Sequence, residues 1–187
     1  RPWDEHFGRD YHHVAGPQQL RESVRGFDYG LLPETFFQTN SQQAAVLMEQ
    51  VVAWANPQPD DTILDLYAGC GGLSFPLARR CAAVYCVESA YSAILDGEMN
   101  ARANSLPQVT FRNGQAEKVL RKLWTEGLHP SLIVLDPPRS GCHPKLLRLL
   151  PHFPARELIY VSCSPPTLGR DLKLLVELGY EVVEAQP

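Results

Sequence analysis

From Thr62 onward, short apolar runs alternate with longer segments of helical periodicity. We predict strands at the apolar runs, which cover residues 62–65, 84–88, 109–112, 132–136, 158–162 and 180–184. We predict helices between them, over about 74–80, 91–104, 115–126, 143–150 and 167–178. Short, continuously apolar strands separated by helices are typical of a parallel sheet that is covered on both faces. The alternation therefore predicts an α/β fold with a doubly wound, mainly parallel sheet.

The segment before Thr62 does not follow this alternation. Residues 20–40, LRESVRGFDYGLLPETFFQTN, predict a β-hairpin with its turn near Gly26, and a helix follows from about Ser41 to Ala55. A chain of 187 residues suits one domain with a single sizeable core. We interpret residues 1–18 as a linker or the remnant of an upstream domain, and residues 19–187 as one domain that begins with the hairpin and the helix.

Composition narrows the class of protein. The sequence contains no apolar run near the length of about 20 residues that crosses a bilayer, and no signal peptide, so we expect a cytoplasmic protein. The net charge of −4 argues mildly against nucleic acid as a partner, although local basic clusters can still bind it. The five cysteines show no zinc-binding spacing, so we expect free thiols and no metal.

Polar or reactive side chains follow four of the predicted strands. They are Asp65, Glu88, Asp136 and Cys163. In open α/β sheets, ligands bind at the carboxyl ends of the strands, and parallel strands bring these ends to one edge. The sequence therefore predicts one site at this edge of the sheet.

The stretch DLYAGCGG, residues 65–72, predicts a strand, a glycine turn and a helix. Gly69 and Gly71 allow a tight turn and a close approach to a ligand, although a purely structural turn would also account for them. A dinucleotide site needs a third glycine where this chain has Ser74, and Asp65 would repel a pyrophosphate. Asp65 suits the amino group of S-adenosylmethionine, and Glu88 suits its ribose hydroxyls. The pattern therefore favours S-adenosylmethionine over NAD.

Two proline-containing stretches end strands at the same edge. In DPPR, the prolines hold the backbone of Asp136 extended. Such a fixed carboxylate would suit the binding of a flat ligand group in one orientation. The alternative is that DPPR simply ends the strand. In YVSCSPPT, Cys163 precedes a helix that opens at Pro165 or Pro166. The positive end of that helix favours the thiolate, so we interpret Cys163 as a nucleophile rather than a core residue.

Together these segments make the sequence resemble the RNA uracil-5-methyltransferases, which methylate uridine in tRNA and 23S rRNA. The resemblance covers residues from about 19 to 187, and four stretches carry it: FFQTN (36–40), DLYAGCGG (65–72), DPPRSG (136–141) and YVSCSPPTLGRD (160–171). It implies a class I S-adenosylmethionine-dependent methyltransferase fold and an RNA substrate. Residues 19–187 are then the catalytic domain.

The resemblance also implies roles for individual residues. The Cys163 thiolate adds to carbon 6 of a flipped-out uracil, so that carbon 5 takes the methyl group. Arg139, Ser164 and Arg170 lie on the RNA side, the two arginines as orienting or phosphate contacts and Ser164 at the uracil edge. The cofactor contacts are Gln38, Asp65, Tyr67, Gly69, Gly71, Glu88, Asp136 and, near the adenine, Gln115.

This sequence departs from the family pattern at several points. Gly72 and Ser164 stand where the family more often has Asn, and Ser164 thereby lacks an amide that could hold the uracil edge. We expect the family's general-base glutamate and its seventh strand to follow Pro187, so that the sheet is truncated before its last strand. The family's N-terminal RNA-binding barrel and the iron–sulfur cysteines of many members are not found in this sequence. We favour a fragment of a longer protein over a natural short form, and we expect such a fragment to bind the cofactor but to give no multiple turnover.

Three other functions compete with this interpretation. An amine-directed nucleic-acid methyltransferase would use Asp136-Pro137-Pro138 to grip an exocyclic amine and would not need Cys163. A non-catalytic RNA-binding module could use the same scaffold. A nicotinamide-dependent dehydrogenase is disfavoured by Asp65 and Ser74. The sequence does not specify which RNA or which uridine is the target.

Overall fold

The computed structural model describes residues 12–187. The seven strands are β1 Leu20–Val24, β2 Phe27–Leu31, β3 Thr62–Leu66, β4 Ala83–Glu88, β5 Val109–Asn113, β6 Leu132–Leu135 and β7 Glu157–Tyr160. The six α-helices are α1 Ser41–Ala55, α2 Ser74–Ala78, α3 Tyr91–Ala103, α4 Ala116–Thr125, α5 Pro144–Leu149 and α6 Pro165–Glu177. A 3₁₀ turn, Leu150–His152, follows α5. Most of the predicted linker, residues 1–11, lies outside the described residues, and residues 12–18 contain no helix or strand.

Strands β3 to β7 form one sheet in the order β5-β4-β3-β6-β7, and every neighbouring pair is parallel. The chain moves outward from β3 through β4 to β5, then returns to the other side of β3 and continues through β6 to β7. This reversal confirms the predicted doubly wound sheet. It places a topological switch point between β3 and β6, where α/β folds of this kind bind their ligands.

The sheet is covered on both faces because its strands are apolar on both sides. Side chains alternate along each strand, so that Ile63 and Val84 enter the core under the hairpin and helices α1 to α3, while Leu64 and Leu66 enter the core under α4 to α6. The helix predicted from Ser41 to Ala55 is confirmed as α1. Asn40 caps it by accepting the Gln43 N–H at 3.0 Å.

The β1–β2 hairpin is held by side chains of α3 instead of by another strand. Asn100 accepts the Gly30 N–H at 2.7 Å through Oδ1 and donates through Nδ2 to the Gly30 carbonyl at 3.0 Å. One turn before, Asp96 accepts the Leu32 N–H at 2.7 Å. This ladder satisfies the backbone groups of β2 and fixes the hairpin on the sheet layer.

The strand predicted over residues 180–184 is wrong. No strand forms there, and residues 181–187 are exposed, with Val183 90% exposed. Although the alternation of YEVVE suits a strand, a strand forms only where its backbone finds a partner, and this segment pairs with none of the strands of residues 12–187. The predicted strand ending at Ser162 is also shorter, since β7 ends at Tyr160.

Candidate active site

The carboxyl ends of β3 and β6 bring Asp65 and Asp136 together at the switch point. The two strands are neighbours with Asp65 opposite Val134, and the Asp136 N–H donates to the Leu66 carbonyl at 3.3 Å. Asp65 lies on the α2 face of the sheet, because its side chain bonds to Ser74 of α2. The predicted pair of carboxylates is therefore assembled by two adjacent strands.

Asp65 is the most constrained of these groups, with only 1% of its surface exposed. Ser74 Oγ donates to Asp65 Oδ2 at 2.5 Å, while Oδ1 is buried and finds no hydrogen-bond partner within the described part of the chain. Burial raises the pKa of Asp65 to about 7, with further contributions from the carboxylates of Asp136 and Glu88. A ligand group that is cationic or donates a strong hydrogen bond would offset the free-energy cost of burying this carboxylate with one oxygen unpaired.

Asp136 lies at the tip of β6, and the next residue, Pro137, is buried. Burial raises the pKa of its carboxyl to about 6. Two adjacent carboxyls with raised pKa values make this edge a candidate functional site, since such shifts cluster where chemistry or ligand binding takes place.

The glycine turn after β3 adopts left-handed backbone angles, with φ of 67° at Tyr67, 55° at Gly69 and 95° at Gly71. A Cβ on Gly71 would lie 2.4 Å from the Phe75 ring, so Gly71 is required for packing. A Cβ on Gly69 would have no atom of residues 12–187 within 4 Å, so Gly69 borders open space in this part of the chain. The two glycines thus have different roles: the first leaves room for a ligand and the second closes the turn.

Glu88, at the end of β4, binds the glycine turn from the side. Its Oε2 accepts the Gly69 N–H at 3.0 Å, and its Oε1 accepts the N–H groups of Ser89 at 2.6 Å and Ala90 at 2.8 Å. The carboxylate therefore links the turn to the start of α3. It lies where the sequence predicts the contact to ribose hydroxyls.

A cleft of about 380 Å³ opens beside this edge. Four of the predicted site residues line it: Tyr67, Glu88, Gln115 and Arg170. Gln115 directly precedes α4. Burial raises the pKa of the Tyr67 hydroxyl, which lies against the Cys142 thiol and the His143 backbone. Asp65, Asp136 and Cys163 are not among its lining residues, whereas Pro138, two residues after Asp136, is.

Gln38 is an exposed loop residue, and its neighbours connect it to the site. The adjacent Phe37 packs on Tyr29 with ring centroids 4.8 Å apart, and its ring lies 4.0 Å from the position of a Cβ on Gly72. The FFQTN segment therefore runs along the glycine turn, on the α1 side of the sheet.

Cys163 lies where the sequence predicts a nucleophile. All five cysteines fall within residues 12–187 and are unpaired, and only Cys163 is exposed. It stands directly before Ser164, the N-cap residue of α6, whose first turn contains Pro165 and Pro166. The Ser164 side chain makes no capping bond, and its N–H donates to Ser162 Oγ at 3.1 Å. The thiol is thus presented to solvent at the start of a helix.

The two arginines differ in how they are held. The Arg139 side chain is exposed, and its carbonyl accepts from Thr167 Oγ1 at 3.0 Å. The Arg170 guanidinium pairs with Asp171 at 2.7 Å and donates to the Ser140 carbonyl at 2.8 Å. Arg139 is therefore available to a ligand, whereas Arg170 is already bound to the protein.

Sequence reasoning missed Asp171 and Ser74. Asp171 is buried and bonds to Cys142 and Tyr160, and nothing in the GRDL stretch distinguishes it from an exposed helix carboxylate. Ser74 did carry a signal, because it replaces the third glycine of a dinucleotide turn. Its hydroxyl donates to Asp65 and accepts from the Cys86 thiol at 3.0 Å.

Two further findings concern membrane helices and metal sites. No helix of residues 12–187 has the length and apolar character needed to cross a membrane. In the same residues, no three His, Cys, Asp or Glu side chains come together as a metal site.

The sheet order and the site define a class I S-adenosylmethionine-dependent methyltransferase fold. The S-adenosylmethionine-dependent methyltransferase of Agrobacterium tumefaciens has this fold, with a TM-score of 0.68, 17% identity and an alignment covering 92% of this chain and 63% of that one. The tRNA (uracil-54, C5)-methyltransferase of Pyrococcus abyssi, solved with S-adenosyl-L-homocysteine, is more similar in sequence. Its TM-score is 0.73 with 30% identity, over 89% of this chain and 42% of that one.

The family model for tRNA (uracil-5-)-methyltransferases matches residues 7–184, and the chain belongs to this family. An uncharacterized RNA methyltransferase of Oceanobacillus iheyensis is 38% identical over 92% of this chain and 38% of its own length. One of Listeria innocua is 35% identical over 97% of this chain and 40% of its own length. The chain thus spans about two fifths of the length of these curated relatives.

Proposed function

We propose that residues 19–187 form the catalytic domain of an enzyme that methylates carbon 5 of uridine in rRNA or tRNA with S-adenosylmethionine. The observation that carries this proposal is the position of Cys163, an exposed thiol at the edge of the sheet where the buried Asp65 and the half-buried Asp136 lie. Membership of the tRNA (uracil-5-)-methyltransferase family supports the choice of carbon 5 and of RNA.

The residues at the sheet edge fit the cofactor. Asp65 offers to an ammonium group a buried oxygen that has no hydrogen-bond partner among residues 12–187, and Gly69 leaves space beside the turn. Glu88 would accept hydrogen bonds from the ribose hydroxyls, Tyr67 would lie against the cofactor, and Gln115 would lie near the adenine. Gln38 and Asp136 would complete the contacts. When bound, S-adenosylmethionine supplies a methyl group on a positively charged sulfur, which makes the methyl carbon electrophilic.

Uracil must be activated before it can accept that methyl group, because carbon 5 is a weak nucleophile. The Cys163 thiolate adds to carbon 6, and the electron pair of the carbon 5–carbon 6 double bond becomes available at carbon 5. Carbon 5 takes the methyl group, and a general base then removes the proton from carbon 5. The electron pair of that C–H bond restores the double bond as the thiolate leaves carbon 6, so Cys163 returns to its starting state. We assign no residue of this chain as the base, and therefore expect cofactor binding without multiple turnover.

Arg139 and Ser164 are the proposed RNA contacts. Arg139 is exposed and free to meet a phosphate, and Ser164 adjoins the nucleophile. Since Arg170 is tied to Asp171 and Ser140, we propose that it orients the loop that carries Arg139. The target base must leave its stack to reach Cys163.

Two measurements test this function. Calorimetric titration with S-adenosylhomocysteine should give about micromolar affinity, lowered at least about 30-fold in Glu88→Ala. The exposed Glu126→Ala, on the far end of α4, serves as the control and should bind as the wild type does. No binding by the wild type, or equal binding by Glu88→Ala, would refute the cofactor site.

The second measurement concerns the nucleophile. An RNA that contains 5-fluorouridine has no proton to lose from carbon 5, so a covalent complex with Cys163 should accumulate and survive denaturing electrophoresis. Cys163→Ala should abolish it. An amine-directed methyltransferase would instead methylate RNA equally well with Cys163→Ala.

A further inference from the structure

We propose that Asp171 is a positioning residue for Cys163, because it fixes the start of α6 and the end of β7 against the proline loop, residues 136–142. This inference rests on the proposed function, in which Cys163 attacks the uracil ring. Asp171 lies eight residues from Cys163 and acts through the backbone that carries the thiol.

Asp171 is 2% exposed, and its carboxylate has polar partners on three sides, Cys142, Tyr160 and Arg170. Its Oδ2 accepts the Cys142 N–H at 2.7 Å and the Tyr160 hydroxyl at 2.6 Å. Its Oδ1 pairs with the Arg170 guanidinium at 2.7 Å. One carboxylate therefore joins the end of the proline loop, the last residue of β7 and α6 itself.

The proline loop meets α6 through its backbone. Thr167 Oγ1 donates to the Arg139 carbonyl at 3.0 Å, and Arg170 Nη2 donates to the Ser140 carbonyl at 2.8 Å. Gly141, with φ of 76°, approaches so closely that a Cβ there would lie 2.5 Å from both the Arg170 guanidinium and Asp171 Oδ2. The loop that begins at Asp136 is thus docked on the helix that follows Cys163.

These contacts restrain Cys163 from both sides. β7 ends at Tyr160, three residues before Cys163, and α6 begins at Pro165, two residues after Cys163. Because Asp171 belongs to α6 and binds Tyr160, it closes the short connection that contains Cys163. Because it also binds Cys142, it sets the distance between this connection and the loop of Asp136.

A buried carboxylate is a costly way to pack this region. A well-packed apolar side chain of similar volume is often as stabilising as a buried ion pair, whereas the ion pair fixes geometry. Three donors of defined direction on one carboxylate specify how loop, strand and helix meet. A reacting thiol needs such precision, since a displacement of about 1 Å can lower a rate about 100-fold.

The chain offers a matched control at the opposite edge of the sheet. Asp61 is also a buried aspartate, pairs with Arg156 at 2.7 Å and accepts the Gln58 N–H at 2.7 Å. It directly precedes β3, and Arg156 directly precedes β7. Asp61→Ala therefore removes a similar network at a distance from Cys163.

The test compares Asp171→Ala, Asp171→Asn and Asp61→Ala in the 187-residue chain. The first readout is the rate of covalent complex formation with 5-fluorouridine RNA, at saturating RNA and S-adenosylmethionine. The second is affinity for S-adenosylhomocysteine, and the third is amide hydrogen exchange. We expect Asp171→Ala to slow the complex at least about 30-fold while the affinity stays within about threefold. Asp171→Asn should lie between, since its amide oxygen still accepts from Cys142 and Tyr160.

Hydrogen exchange distinguishes positioning from general destabilisation. In Asp171→Ala, the Cys142 amide and the Leu168 amide in the first turn of α6 should lose protection while β3 and β4 keep theirs. Asp61→Ala should react with the RNA within about threefold of the wild-type rate despite its lower stability. A wild-type rate in Asp171→Ala, or an equal slowing in Asp61→Ala, would overturn the proposal.

Failure of the proposed function would be recognisable separately. If the wild type forms no covalent complex, uridine methylation through Cys163 is refuted, and hydrogen exchange then decides the role of Asp171. Loss of protection around Cys142 and α6 in Asp171→Ala alone supports the structural link to Cys163. Unchanged protection there overturns it.

Discussion

Ser74 donates a 2.5 Å hydrogen bond to one oxygen of Asp65, and the other oxygen of this buried carboxylate has no partner within residues 12–187. The pair explains why the third glycine of a dinucleotide turn is absent. Ser74 stabilises a carboxylate that a pyrophosphate could not approach. The unpartnered oxygen lowers the stability of the ligand-free protein when Asp65 is ionised, and it favours the binding of a cation. The stability of the ligand-free protein should therefore depend on pH.

Asp65→Asn should flatten the pH dependence of stability. The pKa of Asp65 is about 7 in the folded chain and near 3.8 unfolded, so the folded state holds more protons between these values. The free energy of unfolding therefore falls as pH rises through this interval, by on the order of 3 kcal/mol from Asp65 alone. Asn cannot ionise and removes this part of the slope, while Asp136, whose pKa is about 6, keeps its own part.

Urea unfolding at about pH 5 and about pH 8 measures this difference. The exposed Asp60→Asn is the control and should keep the wild-type slope. Equal pH dependence in Asp65→Asn and the wild type would contradict the burial and charge effects assigned to Asp65. Asp65→Asn should also weaken S-adenosylhomocysteine binding, since it removes the charge offered to the ammonium group.

Gly69→Ala and Gly71→Ala should separate ligand binding from folding. Gly71→Ala places a Cβ 2.4 Å from Phe75 at a φ of 95°, which we expect to destabilise the chain by about 2–4 kcal/mol. Gly69→Ala meets no atom and pays only the left-handed backbone cost of about 1 kcal/mol, yet its methyl group enters the ligand space. We expect Gly69→Ala to stay folded and lose at least about tenfold in affinity for S-adenosylhomocysteine. Thermal unfolding and calorimetry test both variants, and wild-type affinity in Gly69→Ala would remove the turn from the cofactor site.

The sheet and its edge were predictable because both depend on local pattern. Continuous apolar runs specified β3, β4 and β6, and the strand ends then brought Asp65, Glu88 and Asp136 to one side of the sheet. The hairpin turn was equally local, since Arg25 and Gly26 take the left-handed angles that a two-residue turn requires.

The missed features all depend on partners distant in sequence. Residues 180–184 have the pattern of a strand but no strand beside them. Asp171 has the appearance of a surface carboxylate until Cys142 and Tyr160 fold against it. The hydrogen bonds between Asn100 and Gly30 join residues 70 positions apart. Periodicity within a window carries no information about such pairs.

Cys163 should be the first cysteine to react with iodoacetamide. It is exposed, whereas burial raises the pKa of Cys70 to about 12, of Cys142 to about 12 and of Cys81 to about 11. Thiolate is the reactive form, so these buried thiols react slowly at neutral pH. Peptide mass spectrometry should find more than about 90% of the early label on Cys163, and S-adenosylhomocysteine should not redirect it. Early labelling of Cys142 would show that the proline loop opens.

Asn100→Ala should detach the hairpin, and Asn104→Ala provides a control of the same chemistry at the surface. Asn100 is 4% exposed and bonds to both the N–H and the carbonyl of Gly30, so its loss leaves these two backbone groups unpaired at a part-buried position. We expect a loss of about 2–4 kcal/mol in the free energy of unfolding. Asn104 makes the equivalent pair with Asp28, but at the surface, where water replaces it at a cost below about 1 kcal/mol.

The hairpin also supports the site, because Tyr29 stacks on Phe75 with centroids 5.5 Å apart and contacts Phe37, next to Gln38. Asn100→Ala should therefore weaken S-adenosylhomocysteine binding severalfold, whereas Asn104→Ala should not. Urea unfolding and calorimetry measure the two effects together. Equal losses of stability in the two variants would show that burial does not decide the strength of the hydrogen bonds between α3 and the hairpin. Unchanged ligand affinity in Asn100→Ala would show that the hairpin does not support the FFQTN segment.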